Sequence, residues 1–382
     1  MAETVFIPLE TVGGEGRVGG SPESVKKLKS LGFDVIVQAG AGTLSRIPDG
    51  EFEKAGARIG SAADAASADV VLKVRRPTSS EIASYKSGAV VLAIMDPYGN
   101  EQALSDMAKA GLSAFAMELM PRITRAQSMD VLSSQANLAG YQAVIDAATE
   151  YDRAMPMMMT AAGTVPAAKV FVMGAGVAGL QAIATARRLG AVVSATDVRP
   201  ASKEQVASLG AKFIAVEDEE FKAAETSGGY AKEMSAEYRA KQAALTVEHL
   251  AKQDIVITTA LIPGRPAPRL ITREMLKSMR PGSIAIDLAV ERGGNIEGAV
   301  AGSVVEVEGV KVVGHLNVPG RIAASASLLY AKNLFTFLET MVSKETMELA
   351  LNREDELVKA TMLTHGGEIV HPNFAAAAKG DL

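Results

Sequence analysis

The stretch Val170-Phe171-Val172-Met173-Gly174-Ala175-Gly176-Val177-Ala178-Gly179 decides the predicted fold. A short apolar run, typical of a buried strand, leads into glycines spaced as Gly-x-Gly-x-x-Gly, and a helix-compatible segment follows. Such glycines allow a tight turn, close approach of a pyrophosphate, and close packing of helix on strand. The phosphates then meet free N–H groups and the positive end of the helix. The residues that we expect at this dinucleotide site are Gly174, Ala175, Gly176, Val177, Ala178 and Gly179.

A carboxylate stands where such a site needs one. Asp197 directly follows the next apolar run and lies 18 residues after Gly179, near the spacing of about 20 that is typical of dinucleotide folds. At that position a carboxylate can accept both ribose hydroxyls of NAD and repel the 2′-phosphate of NADP. We therefore predict NAD(H) as the cofactor. Val198 and Arg199 follow as further expected contacts, and the cationic Arg199 weakens the preference against NADP(H).

Strand-like runs alternate with helical patterns on both sides of this site. The first set of runs is Thr4–Pro8, Asp34–Gln38, Val70–Val74, Ala89–Met95 and Ser113–Met117. The second set is Val170–Met173, Ala191–Thr196, Lys212–Ala215, Ile255–Thr258, Ser283–Asp287 and Val310–Val313. Strands separated by helices of this length pair in parallel through right-handed crossovers. The predicted class is α/β, with two Rossmann-like, doubly wound parallel-sheet domains joined by long helices.

Two helical segments set the domain organisation. Residues 128–153 contain no proline and only one glycine, Gly140, and they carry alanine and leucine at helical spacing. We interpret them as a bridging helix between the domains. A second helical stretch, 326–341, is expected to return the chain to the first domain, which is therefore discontinuous. The predicted domains are 1–127 with 322–382, and the NAD(H)-binding domain 154–321.

Composition narrows the function. The net charge is −5, from 39 basic and 44 acidic residues, and no long basic run is present, so we expect no nucleic-acid partner. The chain has no Cys and only four His, none paired at metal-site spacing, so we expect no metal. With no export signal and no run of 18 apolar residues, we expect a cytoplasmic protein.

A polar segment, Met120–Ser133, precedes the bridging helix. It contains Arg122, Gln127, Asp130 and Ser133, which can together hold a carboxamide and a ribose without donating a proton. We expect such residues to converge on a nicotinamide where the domains join. The spacing alone equally fits an ordinary capped helix start, with Asp130 and Ser133 facing solvent.

Four longer stretches closely resemble one family. They are 114–141, 157–166, 228–234 and 258–264, and they resemble the NAD(H)-binding component of proton-translocating nicotinamide nucleotide transhydrogenases. The resemblance implies that Arg122, Gln127, Asp130 and Ser133 form the nicotinamide loop, with Gln127 reaching toward the partner's NADP(H). It also implies that Tyr230 lies on a mobile loop that closes over the nucleotide. Ala260 and Leu261, in the last stretch, are further expected cofactor contacts.

The same resemblance implies partners and a reaction. We expect a homodimer that docks with an NADP(H)-binding component and a proton-conducting membrane component, on the cytoplasmic face of the inner membrane. Since the chain ends before any membrane helix, it looks like the separately encoded form. Hydride would pass directly from NADH to NADP⁺, with Gln127, Arg122 and Asp130 as the catalytic group. Such a transfer needs positioning rather than an acid or base.

Two alternatives stay open. Alanine dehydrogenase shares the two-domain plan, and its substrate-binding Arg and Lys look matched by Arg17 and Lys73. However, that family uses a first-domain His, whereas this chain has no His before His249, and Glu291 stands where that family has a catalytic Asp. The other alternative is a non-catalytic NAD(H)-binding module. A loop that presents nicotinamide to a partner argues against it.

Overall fold

The fold consists of two compact α/β units. The computed structural model describes residues 2–223, 234–262, 264–343 and 345–378, with side chains as far as residue 375. The first unit is Met1–Gln135 with Gly320–Leu382, and the second unit is Ala136–Pro319. Each unit contains a largely parallel sheet, and the first unit is discontinuous. The predicted fold class is confirmed.

The secondary structure alternates strands with helices, as the sequence predicts. The strands are β1 Thr4–Ile7, β2 Asp34–Gln38, β3 Arg58–Gly60, β4 Val70–Arg75, β5 Val90–Ile94, β6 Ser113–Ala116, β7 Met158–Thr160, β8 Gly163–Val165, β9 Lys169–Met173, β10 Val192–Thr196, β11 Lys212–Phe213, β12 Ile255–Thr258, β13 Ile284–Asp287, β14 Val304–Val307, β15 Val310–Val313, β16 Thr364–His365 and β17 Glu368–Ile369. The helices are α1 Pro22–Ser30, α2 Asp49–Lys54, α3 Ser79–Ser84, α4 Glu101–Lys109, α5 Val131–Glu150, α6 Val177–Arg188, α7 Ser202–Ser208, α8 Glu219–Lys222, α9 Ala236–Leu250, α10 Arg273–Lys277, α11 Ala323–Glu339, α12 Glu356–Thr361 and α13 Pro372–Ala378. Among the described residues, no helix has the length and apolar character needed to cross a membrane.

The first unit has a six-stranded sheet in the order β3-β2-β1-β4-β5-β6, with every pair parallel. Alternate residues fill the two faces, because a strand points successive side chains to opposite sides. Val5 and Ile7 pack in the core on one face, and Phe6 packs in the core on the other. Both faces are covered, which explains the continuous apolar run Val70–Val74.

The C-terminal segment belongs to the first unit because α11 completes that core. Its residues Tyr330, Leu334 and Phe337 are fully buried and pack with β1 and β4. The sequence predicts this helix at 326–341, and the structure has it at Ala323–Glu339. The apolar face of this helix therefore explains why the chain returns to the first unit after completing the second.

The second unit has a seven-stranded sheet in the order β11-β10-β9-β12-β13-β15-β14, and only the β14–β15 pair is antiparallel. Chain direction reverses between β9 and β12, which is where open α/β sheets bind ligands at the strands' carboxyl ends. Strands β3 and β14 and the β7–β8 hairpin were not predicted from the sequence. All are short and mostly exposed or half-exposed, so they lack the apolar run of a buried strand.

The long helix α5 depends on a single glycine. A Cβ atom at Gly140 would lie 2.0 Å from the carbonyl oxygen of Ala178, in the first turn of α6. No side chain fits in this space, although glycine lowers the helix propensity of an interior position. Close contact between the backbones of α5 and α6 therefore requires Gly140.

We predict that Gly140→Ala lowers the free energy of unfolding by roughly 1–3 kcal/mol, because the two helices must separate to admit the methyl group. Urea denaturation measures this value. Gly50→Ala, within α2, is the matched control because its new Cβ meets no atom within 4 Å. A Gly140→Ala protein as stable as the control would contradict the close helix contact.

Candidate functional site

The glycine-rich turn lies at the carboxyl end of β9. Gly174 has φ +108°, a left-handed conformation that favours glycine, and its N–H donates to the carbonyl oxygen of Thr196 at 2.8 Å. A Cβ at Gly174 would lie 2.4 Å from Oγ1 of Thr259. That hydroxyl donates back to the Gly174 carbonyl oxygen at 3.2 Å. The turn is thus fixed from both neighbouring strands.

The second and third glycines serve different purposes. A Cβ at Gly179 would lie 1.8 Å from the Gly174 carbonyl oxygen, whereas a Cβ at Gly176 would meet nothing within 4 Å. Gly179 is therefore needed for α6 to pack on its own strand, and Gly176 leaves open space beside the backbone. Gly176 is the N-cap of α6, and its capping position has no side-chain hydrogen bond. The first N–H groups of the helix stay free for an anion.

Asp197 follows β10 and faces this turn. Its Oδ2 accepts the Ala175 N–H at 2.7 Å, and Arg199 contacts both carboxylate oxygens at 2.9 and 3.0 Å. Burial by itself raises the pKa of Asp197, but the hydrogen bonds from Arg199 and Ala175 outweigh burial and hold the pKa below its ordinary value. Asp197 is therefore a charged acceptor beside the glycine-rich turn, as predicted. Exposed side chains at the same edge are Val177, Val198 and Leu261.

Asn295 is a site residue that was not predicted from the sequence. It is fully buried, and its side-chain amide donates to the carbonyl oxygens of Ala260 and Pro268 at 2.9 and 2.8 Å. Its Oδ1 accepts the Ala260 N–H at 3.1 Å. Asn295 therefore fixes the backbone that follows β12, and both main-chain polar groups of Ala260 are engaged. The pair Gly293-Gly294 before it was the only local signal.

The predicted nicotinamide loop belongs to the first unit. Residues Thr124–Met129 form a 3-10 helix, and Asp130 caps α5 by accepting the Ser133 N–H at 2.9 Å and the Ser133 hydroxyl at 2.5 Å. Asp130 and Ser133 are half-buried, while Arg122 and Gln127 are exposed. The structure thus brings Asp130 and Ser133 together as a helix cap, and it leaves the Gln127 side chain at the surface.

A buried ion cluster lies at the carboxyl ends of β1 and β4. Arg17 is 2% exposed, and it contacts both carboxylate oxygens of Glu15 at 2.8 and 2.7 Å. Arg75 contacts the same carboxylate at 2.7 Å. Burial by itself raises the pKa of Glu15, but the hydrogen bonds and charge of Arg17, with the charge of Arg75, lower the pKa to about 2. Glu15 is therefore a buried anion held between two guanidinium groups.

Lys73 is paired in the same way. It is 1% exposed, and its Nζ lies 2.7 Å from Glu81 and 3.4 Å from Glu10. Burial is the largest effect on Glu10 and raises its pKa. Every cation of this cluster therefore already contacts a carboxylate, including the two that we matched to a substrate site.

Both units match the domains of one known family. Residues 6–139 match the family domain described as "Alanine dehydrogenase/PNT, N-terminal domain", and residues 143–372 match "Alanine dehydrogenase/PNT, C-terminal domain". The chain belongs to the alanine dehydrogenase/PNT family. Both sheets and both sites described above lie within the matched ranges, so the family covers the entire functional region.

Transhydrogenases are much more similar to this member of the family than an alanine dehydrogenase is. The chain is 58% identical over 375 residues to the first of the separate alpha-subunit chains of the NAD(P) transhydrogenase of Rhodospirillum rubrum, covering 96% of this chain and 98% of that protein. It is 77% identical to the solved transhydrogenase structure from Sinorhizobium meliloti, with a TM-score of 0.90, covering 96% and 100% of the two chains. Alanine dehydrogenase 1 of Staphylococcus aureus is 29% identical over 390 residues, covering 98% and 96%. The resemblance stated from the sequence is confirmed.

One predicted contact is outside the part of the chain that the structure describes. Tyr230, expected to close over the nucleotide, falls in the range 224–233, so its role stays a prediction.

We predict opposite effects for two alanine substitutions in the glycine-rich turn. Gly176→Ala should raise the Kd for NADH about tenfold or more without changing the melting temperature, because its Cβ meets only the space expected for pyrophosphate. Gly179→Ala should lower the melting temperature, because its Cβ collides with backbone. Calorimetry and fluorescence titration measure the two quantities. Unchanged NADH binding in Gly176→Ala would contradict the pyrophosphate assignment.

We predict that Glu15 makes stability depend on pH. Its lowered pKa means that its stabilising contribution is complete above the ordinary value of 4.5 and is lost as pH falls toward 2. The contribution at pH 7 is about 3 kcal/mol. Glu15→Gln should therefore differ most from the unmodified protein at pH 7, and the difference in unfolding free energy should shrink below pH 4.5.

The control for this measurement is Glu51→Gln. Glu51 forms an exposed ion pair with Lys54 within α2, and exposed pairs contribute little to stability. Its substitution should change stability only slightly at any pH. A Glu15→Gln effect that is the same at pH 7 and pH 3 would contradict the assigned charge state.

Proposed function

We propose that this chain is the NAD(H)-binding component of a proton-translocating transhydrogenase. The observation that carries the proposal is the near full-length similarity to separately encoded chains of the NAD(P) transhydrogenase alpha subunit. The glycine-rich turn supports it, because Gly176 leaves space and Gly179 allows the helix N-terminus to face that space. The component would act with a partner that holds NADP(H), and the reaction would be coupled to proton translocation by a membrane component.

We propose that the second unit selects NAD(H). The carboxylate of Asp197 is held ionised next to the Ala175 N–H, where it can accept the ribose hydroxyls. A 2′-phosphate at that position would meet this negative charge. Arg199 already uses its guanidinium group on Asp197, and this pairing reduces its ability to attract a phosphate.

The chain's own contribution to catalysis is positioning. Bound NADH supplies the hydride, and transfer between two pyridine rings needs no proton from the protein. We propose that Arg122, Gln127, Asp130 and Ser133 orient the nicotinamide and its ribose. The exposed Gln127 is suited to reach a partner's nucleotide, whereas the Asp130–Ser133 pair fixes the start of α5. Orientation of this kind can supply a large part of a rate enhancement.

We propose that two copies of the chain associate. The β7–β8 hairpin is a separate two-stranded sheet, and Met157, Met158 and Met159 at its start are 62%, 44% and 79% exposed. A lone two-stranded hairpin is only marginally stable in water, and contiguous exposed apolar side chains mark an interaction surface. The family resemblance favours a second copy as the occupant. We further propose that the dimer is bound to the cytoplasmic face of the membrane through its partners.

The ion cluster argues against alanine dehydrogenase activity. A substrate carboxylate needs a cation that can receive it, but Arg17 and Lys73 are buried and already paired with Glu15 and Glu81. The identity to an alanine dehydrogenase is also much lower than that to the transhydrogenases. The proposed activity is therefore transfer to a second nucleotide.

The test combines the purified chain with the NADP(H)-binding component of a related transhydrogenase. Reduction of NADP⁺ by NADH is followed by stopped-flow. We predict that Gln127→Asn slows the single-turnover rate roughly ten- to a hundredfold, because the shorter side chain misplaces the contact. The Kd for NADH should stay the same.

Gln102→Asn is the matched control because Gln102 lies exposed on α4, where its side-chain amide donates to Asp106 of the same helix. No transfer in the mixture, together with alanine-dependent reduction of NAD⁺ by the chain alone, would overturn the proposed function. Full transfer by Gln127→Asn would remove Gln127 from its role and leave the rest intact.

A further inference from the structure

One buried asparagine on α11 holds both ends of the proposed nicotinamide loop. Asn333 is 6% exposed. Its Nδ2 donates to the carbonyl oxygen of Ser128 at 2.8 Å, and its Oδ1 accepts the hydroxyl of Ser134 at 2.7 Å. Gln127 immediately precedes the first contact, and Asp130 lies between the two. A single side chain therefore spans the part of the loop that contains the proposed functional groups.

The Ser134 contact continues into the ion cluster. The amide of Gln135 donates to the Ser134 hydroxyl oxygen at 3.3 Å and to the Ala326 carbonyl oxygen at 3.2 Å. Its Oε1 accepts from Arg17 at 2.8 Å. A buried hydrogen-bonded series therefore runs from Arg17 through Gln135 and Ser134 to Asn333. Arg17 thus supports the start of α5.

A second contact fixes the loop from outside. Arg125 forms two hydrogen bonds with Asp355, the N-cap of α12, at 2.8 and 2.6 Å. This pair is partly exposed, so it contributes less than a buried contact would. The C-terminal segment of the first unit therefore holds the loop at two points, of which Asn333 is the buried one.

We propose that Asn333 is a positioning residue for hydride transfer. Resting on the proposed function, this means that Asn333 fixes residues 128–134 and, through them, the place at which Gln127 is presented. It does not contact the nucleotide's adenosine or pyrophosphate, which the second unit binds. Its loss should therefore slow transfer without weakening NADH binding.

The test uses Asn333→Leu, which fills a similar volume and removes both hydrogen bonds. The single-turnover rate at saturating NADH should fall about tenfold or more, while the Kd for NADH changes less than about twofold. Hydrogen exchange, measured on the chain without its partner, should become faster at the amides of residues 122–133. Ser134→Ala removes only one contact and should have a smaller effect on both quantities.

Thr336→Ala is the control on the same helix. Thr336 is exposed, and its hydroxyl donates to the Lys332 carbonyl oxygen within α11. A parallel measurement on Gln127→Asn separates two kinds of failure. If Gln127→Asn slows transfer and Asn333→Leu does not, the inference about Asn333 fails alone. If neither slows transfer, the proposed role of the loop fails with it. A Kd that rises in step with the loss of rate would also overturn positioning, because it would indicate a binding role.

Discussion

The candidate nucleotide site depends on the close approach of two backbones. α6 can begin directly after β9 only because position 179 carries no Cβ, which would otherwise lie 1.8 Å from the Gly174 carbonyl oxygen. This packing places the free N–H groups of the helix beside Asp197 and Thr259. Gly140 extends the same constraint to α5, which packs on the first turn of α6. The phosphate-binding geometry is therefore a result of steric limits.

The two units use equivalent edges in opposite ways. In each sheet the chain reverses direction at the first strand, between β1 and β4 or between β9 and β12. The edge in the second unit is lined with glycine and keeps free donors and open space. The corresponding edge in the first unit contains Glu15, Arg17 and Lys73, whose charges are buried and paired. Removing one member of a buried pair costs several kcal/mol, so this edge is suited to a structural role.

That structural role connects the ion cluster with the loop that carries Gln127. Arg17 is bonded to Gln135, and the series of hydrogen bonds ends at Asn333. Buried polar networks of this kind fix one arrangement when every member is satisfied. The exposed Gln127 is therefore presented from a rigid base, which agrees with a reaction that depends on orientation.

The sequence alone determined the features that depend on neighbouring residues: the glycine-rich turn, Asp197 after the next strand, and the long apolar strands. These follow from local patterns, because backbone sterics and strand burial act over a few residues. Tertiary structure decided the rest. Asn333 meets Ser128 across 205 positions and Arg17 meets Gln135 across 118, separations that leave no periodic signal. The short edge strands were also invisible, since hydrogen bonds to a neighbouring strand, rather than apolar side chains, define them.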